Sequence, residues 1–158
     1  MGNEERTQYF SIMGHAPAGD EAVFFPALYD AGNDELYAGL IEAREFGFDV
    51  FREFLEGAWG AGGMSGGKPG RLILDGGLIE SGYAALMERT PGMESLSVGF
   101  SNPGQPSGSS LLERAWKVVQ AEIAAAGVVS GVRVSSYNLG ELISRGVKRY
   151  NAGRKVPK

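Results

Sequence analysis

One acid in this chain sits where an α/β protein usually does its chemistry. Arg71-Leu72-Ile73-Leu74 is a short apolar run, and it ends in Asp75-Gly76-Gly77. A carboxylate at the end of a strand, followed by two residues without side chains, leaves open backbone amides beside a charge. In a parallel sheet that end of the strand is also where ligands bind. The one histidine, His15, follows an earlier apolar run and has Asp20 and Glu21 close behind it. An imidazole oriented by a carboxylate is acid–base equipment. The chemistry these residues support is that of a small hydrolase or lyase using Asp75, His15 and Glu21 as acid/base or metal-binding groups. Later runs deliver Ser101 and Asn102, then Ser135, Ser136, Tyr137 and Asn138, to corresponding positions. With the amides of Gly76 and Gly77 they define a candidate crevice for an anion or small molecule. Asp75 has a second reading, as the cap of the helix that follows it. No metal site is expected, and no cofactor is identified by any pattern in the chain.

The stretch before Asp75 invites stronger readings that its order refuses. Half of residues 57–70 are glycine. Gly62 and Gly67-Lys68 have the spacing of a phosphate loop, but Pro69 stands where a hydroxyl should hold magnesium. The order here is helix–loop–strand rather than strand–loop–helix. Gly63-Met64-Ser65-Gly66-Gly67 has the spacing of a nucleophile elbow, but the histidine lies upstream of it, against the chain order of that fold. The expectation is a flexible loop that crosses from one element to the next.

The elements that must position these residues follow from apolar periodicity. Residues 9–13 read as a first strand, ending in a turn-rich loop over residues 14–21. Residues 22–29 are apolar but broken by Pro26. From Glu35 to Glu56 the apolar residues fall on two faces at helical spacing, which predicts a helix buried on both sides. Gly39 and Gly47 weaken it. Beyond the glycine loop, strands are expected at residues 71–75, 96–100 and 128–135. Helices are expected at residues 78–89, from Ser110 (with Glu113 as a capping box) to Gly127, and from Asn138 onwards. Strand–helix alternation three times running predicts an α/β fold. Its expected form is a layered sandwich with a largely parallel or mixed sheet of four to five strands and about four helices. Residues 1–150 form one domain in this reading, and residues 151–158 a basic C-terminal tail.

Composition narrows the classes. The chain has 158 residues, 43% hydrophobic and 22% charged, which is ordinary for a globular domain. It has no cysteine, so disulfides and thiolate chemistry are excluded. With no apolar run of membrane length and no signal core at the N-terminus, a cytoplasmic location without membrane contact is expected. Net charge is −4, which disfavours nucleic acid as a partner. That charge is unevenly spread: residues 1–58 hold 12 acids and 3 bases, residues 59–158 hold 7 acids and 12 bases. The bases at Lys148, Arg149, Arg154, Lys155 and Lys158 suit a phosphate or an acidic partner, or a solvated helix end. Acidic and basic surfaces of neighbouring subunits can also meet head to tail.

Two loops carry family resemblances. Gly14-His15-Ala16-Pro17-Ala18-Gly19-Asp20-Glu21 resembles a loop of nickel-hydrogenase maturation proteases, and Leu74-Asp75-Gly76-Gly77 their later Asp-Gly-Gly stretch. The resemblance would make Glu21 a metal ligand, but the middle acidic ligand would fall near Gly99 and there is no second histidine. Val98-Gly99-Phe100-Ser101-Asn102-Pro103-Gly104 is similar to the first strand and loop of peptidyl-tRNA hydrolases, without the catalytic histidine that should follow. Neither motif is complete, and neither is adopted. The reading the sequence favours is a structural or interaction subunit of a homo-oligomeric assembly, with the small hydrolase or lyase as the alternative.

Overall fold

The computed structural model describes residues 6–18, 20–75, 78, 82–101, 108–130 and 136–153. Its centre is β1 (Thr7–Ala18), which forms an antiparallel hairpin with β2 (Glu21–Asp30). Alternation explains why this run is a strand. Phe10 and Ile12 face one side, Tyr9 and Met13 the other, and both sides are covered. β3 (Glu35–Ala38) and β4 (Ile41–Ala43) pair with β2 at different heights. On its other side β1 runs parallel to β5 (Arg71–Leu74), and β5 parallel to β6 (Ser97–Phe100). The result is a six-stranded mixed sheet in the order β3-β2-β1-β5-β6, with β4 branching from β2. Four helices complete the α/β fold among the described residues: α1 (Phe48–Trp59), α2 (Tyr83–Glu88), α3 (Gly108–Ser130) and α4 (Ser136–Gly153).

The sheet separates two cores. On one face α1 buries Phe51, Phe54, Leu55 and Ala58 against Phe10, Leu28, Leu72 and Leu74. On the other, Leu112, Ala115, Trp116 and Val119 of α3 and Ile143 of α4 bury Ala27, Tyr29 and Leu36. Each fully buried Leu, Ile, Val or Phe among these stabilises the fold by roughly 2 kcal/mol. α4 is also tied to the sheet by polar contacts. Asn151 Oδ1 accepts from the Leu36 amide at 2.9 Å and its Nδ2 donates to the Leu36 carbonyl at 3.0 Å. One side chain thereby satisfies both free backbone groups of a residue on the edge strand. The hydroxyls of Tyr29 and Tyr150 both donate to Asp34 Oδ1. Burial, then the Asp34 contact, pushes both hydroxyls above the usual tyrosine range, so they remain donors.

The continuous helix expected from Glu35 is not what forms. Residues 35–38 and 41–43 are strands, and the helix begins at Phe48. The apolar faces that suggested a doubly buried helix belong to a strand buried on both sides: Leu36 packs into one core and Tyr37 against the other. Gly39 and Leu40 separate β3 from β4. The turn-rich loop expected after residue 13 is instead the far half of the hairpin, with β1 running through Ala18. Pro26 is tolerated inside β2 because it sits where the partner changes from β4 to β3, beside a register irregularity between Ile12 and His15. The strand expected from Val128 is not formed, because α3 passes through Gly127 to Ser130. One glycine costs a helix about 1 kcal/mol, too little to end a long one. The rest of that expected strand, residues 131–135, lies outside the described residues. Helix starts also move: Ser110 and Asn138 lie inside α3 and α4 rather than capping them.

α3 and α4 cross with almost no space between backbones. A Cβ at Gly146 would lie 2.7 Å from the Val119 Cα, closer than carbon atoms approach. Gly146→Ala therefore has to push the helices apart, and a loss of about 1–3 kcal/mol is expected in denaturant unfolding. An unchanged midpoint would show that the crossing is looser than described.

Candidate functional site

Register decides what meets at the strand ends. Phe10, Leu74 and Phe100 are aligned across β1, β5 and β6. The next residues, Ser11, Asp75 and Ser101, therefore stand in a row at the carboxyl side of three parallel strands. Backbone bonds fix this row: the Asp75 amide donates to the Phe10 carbonyl at 3.0 Å, and the Ser101 amide to the Leu74 carbonyl at 2.9 Å. The Ser11 hydroxyl donates to Asp75 Oδ2 at 2.8 Å. All three residues are half-buried. The Asp75 carbonyl accepts from the Leu78 amide at 2.8 Å.

Asp75 and Ser101 stand where the sequence reading put them, beside each other at the strand ends. His15 and Glu21 do not join them at the level of the row. His15 lies in β1 opposite Phe24, four residues past Ser11, about 13 Å along the strand at roughly 3.3 Å per residue. Glu21 opens β2 opposite Ala18 at the hairpin tip and is exposed, farther still. Asp20 is exposed in the turn. Gly76, Gly77, Asn102 and Ser135 lie outside the described residues, and Ser136, Tyr137 and Asn138 form the first turn of α4. Ser11 was not foreseen. Its signal was available in the parallel between Phe10-Ser11, Leu74-Asp75 and Phe100-Ser101, each an apolar run stepping to a hydrophilic residue. The strand's continuation through Ile12 and Met13 concealed it.

A row of one carboxylate between two serines accepts hydrogen bonds and cations more readily than it accepts anions. Among the described residues no three His, Cys, Asp or Glu side chains gather to hold a metal ion.

The glycine-rich crossing before β5 is held at several points. Arg6 Nη2 and Gln8 Nε2 donate to the Gly67 carbonyl at 2.6 and 3.2 Å. Glu35 accepts from the amide and hydroxyl of Ser65. A Cβ at Gly63 would lie 2.3 Å from the Gly57 carbonyl oxygen, so glycine is needed there for packing. Ser65 is thus bound to a carboxylate across the loop.

The sequence matches no protein-family model and no curated protein. Solved structures resemble the fold. The integrase catalytic core domain of HTLV-2, solved with magnesium in a trimeric form, has a TM-score of 0.55 over 89% of this chain and 81% of its own, at 10% identity. The same domain in a dimeric form gives 0.56. The BIV integrase catalytic core gives 0.57 over 96% of this chain and 86% of its own, at 12% identity. The chain thus shares the α/β fold of integrase catalytic cores, an RNase H-like arrangement. Within the row itself, the one carboxylate accepts the Ser11 hydroxyl.

Removing the Ser11 hydroxyl leaves Asp75 one donor short in a half-buried place. Ser11→Ala is expected to cost about 1–2 kcal/mol in thermal or denaturant unfolding. Stability equal to wild type would mean that water replaces the serine without cost, and that the pair does not order the row.

Proposed function

We propose that this chain is a structural, self-assembling subunit that uses an integrase-core-type fold as an interaction scaffold. The observation that carries the reading is the Ser11–Asp75–Ser101 row. Among the described residues, the row at the strand ends holds one carboxylate, engaged by a serine hydroxyl, while the other predicted acid–base residues lie along or at the tip of the hairpin. A hydrolase or lyase built on Asp75, His15 and Glu21 is disfavoured by that spacing. The dimeric and trimeric forms in which the HTLV-2 integrase cores were solved are compatible with a fold suited to self-association. Among the described residues no helix is long and apolar enough to cross a membrane, and a cytoplasmic site of action belongs to the same reading. The row retains a minor role in it, as a crevice for a small hydrogen-bonding molecule. Contact of the basic tail with phosphate or an acidic partner is a weaker part of the proposal, since Arg149 already pairs with Glu122 at 2.9 Å.

Sedimentation velocity of the full chain over a wide concentration range tests this reading. The expected result is a species heavier than the monomer whose share grows with concentration. A single monomeric boundary at every concentration would contradict it.

A further inference from the structure

The two helical layers carry opposite charge on their outer surfaces. Residues 42–56, which lead into and form α1, contain five acids and two bases. All five acids, Glu42, Glu45, Asp49, Glu53 and Glu56, are exposed. On α1 they occupy the side opposite Phe51, Phe54 and Leu55, so they point away from the sheet. Of the two bases, Arg52 lies 3.9 Å from Glu56 and leaves most of the negative charge uncompensated. On the other side of the sheet, α3 and α4 contain three acids and five bases. Arg114, Lys117, Arg145, Lys148 and Arg149 are all exposed. The Arg149–Glu122 pair accounts for one base, and the other four outnumber Glu113 and Glu141 by two.

We infer that a second copy of this chain docks its α1 face on the α3–α4 face of the first, head to tail. This rests on the assembly reading above and specifies which surfaces meet. Charge selects the geometry. A two-fold contact through α1 would set the Asp49, Glu53 and Glu56 ridge against itself, and a two-fold contact through α3–α4 would oppose Lys117 and Lys148 with their own copies. Like charges brought together repel. Only a heterologous contact pairs acid with base. The two faces lie on opposite sides of one sheet, so each added copy leaves a fresh acidic face at one end and a fresh basic face at the other. Assembly then continues past two subunits rather than closing as a dimer. Because the contact is between exposed charges, salt screens it: the screening length is about 10 Å at 0.1 M and about 3 Å at 1 M.

The experiment uses light scattering on the full chain and two variants whose changes are confined to exposed positions. Glu45→Lys with Glu53→Lys makes both faces basic, and Lys117→Glu with Lys148→Glu makes both faces acidic. Circular dichroism confirms that each variant is folded. In low salt, about 50 mM, the wild type should exceed the mass of a dimer and keep growing with concentration, then fall to the monomer near 1 M salt. Each variant alone should be monomeric in low salt, and mixing the two in equal amounts should restore association. If both variants keep the wild-type mass, or if the wild-type assembly survives high salt unchanged, the charged faces are not the contact; the head-to-tail inference fails and the subunit reading stands on another surface. A wild type that plateaus as a dimer also overturns the inference. A wild type that is monomeric in low salt overturns both.

Discussion

Asp30 is the point on which the described structure turns. Its side chain is completely buried at the end of β2, and a carboxylate in that position is tolerable only if its oxygens are satisfied. Arg6 Nε lies 2.7 Å from Oδ2, Gln8 Nε2 donates to the same oxygen at 2.8 Å, and the Asn33 amide donates to Oδ1 at 2.9 Å. Gln8, itself fully buried, accepts from the Trp59 indole at 2.8 Å. One charge therefore joins the start of β1, the end of β2, the β2–β3 turn, the end of α1 and, through Gly67, the crossing into β5. Leaving such a charge without a partner costs about 3–5 kcal/mol. The register of β1 against β5 sits between these attachments, and the Ser11–Asp75 pair depends on that register.

The same register separates the tasks of the fold. Near Asp30 the sheet is closed by side-chain networks and by the Asn151 amide on β3. At the other end β1 and β2 extend beyond β5 as a hairpin, which carries His15 and Glu21 away from Asp75. The hairpin is what takes the predicted acid–base group apart. The layers on either side of the sheet then differ in sign, and the interest of the molecule moves from the strand ends to its outer helical faces.

The second half of the chain was more legible than the first, and particular residues explain why. β5 and the two long helices follow local patterns: the apolar run Leu72-Ile73-Leu74, and buried positions three or four apart such as Leu112, Ala115, Trp116 and Val119. The class of fold followed from that alternation. Residues 35–43 were misleading because a strand buried on both faces and a helix buried on both sides produce the same lack of a polar face. Only the partner strand β2 resolves the ambiguity, and pairing is a non-local property. At the site, Asp75 and Ser101 were legible because each ends its strand. Ser11 was not, because β1 continues past it, and its role exists only when β5 lies alongside. The first three residues of the expected glycine loop, 57–59, close α1 instead, and the contacts of the remainder with Arg6, Gln8 and Glu35 come from residues about 30 to 60 positions away.

The central proposal is that a fold shared with integrase catalytic cores serves here as an interaction scaffold and not as a metal-dependent catalyst. Isothermal titration of magnesium into the wild-type chain and into Asp75→Asn tests it most directly. The account predicts no saturable heat in either protein up to about 10 mM, a range in which sites with a full set of oxygen ligands fill. Saturable binding by the wild type that is lost in Asp75→Asn would contradict it and return the row to catalysis.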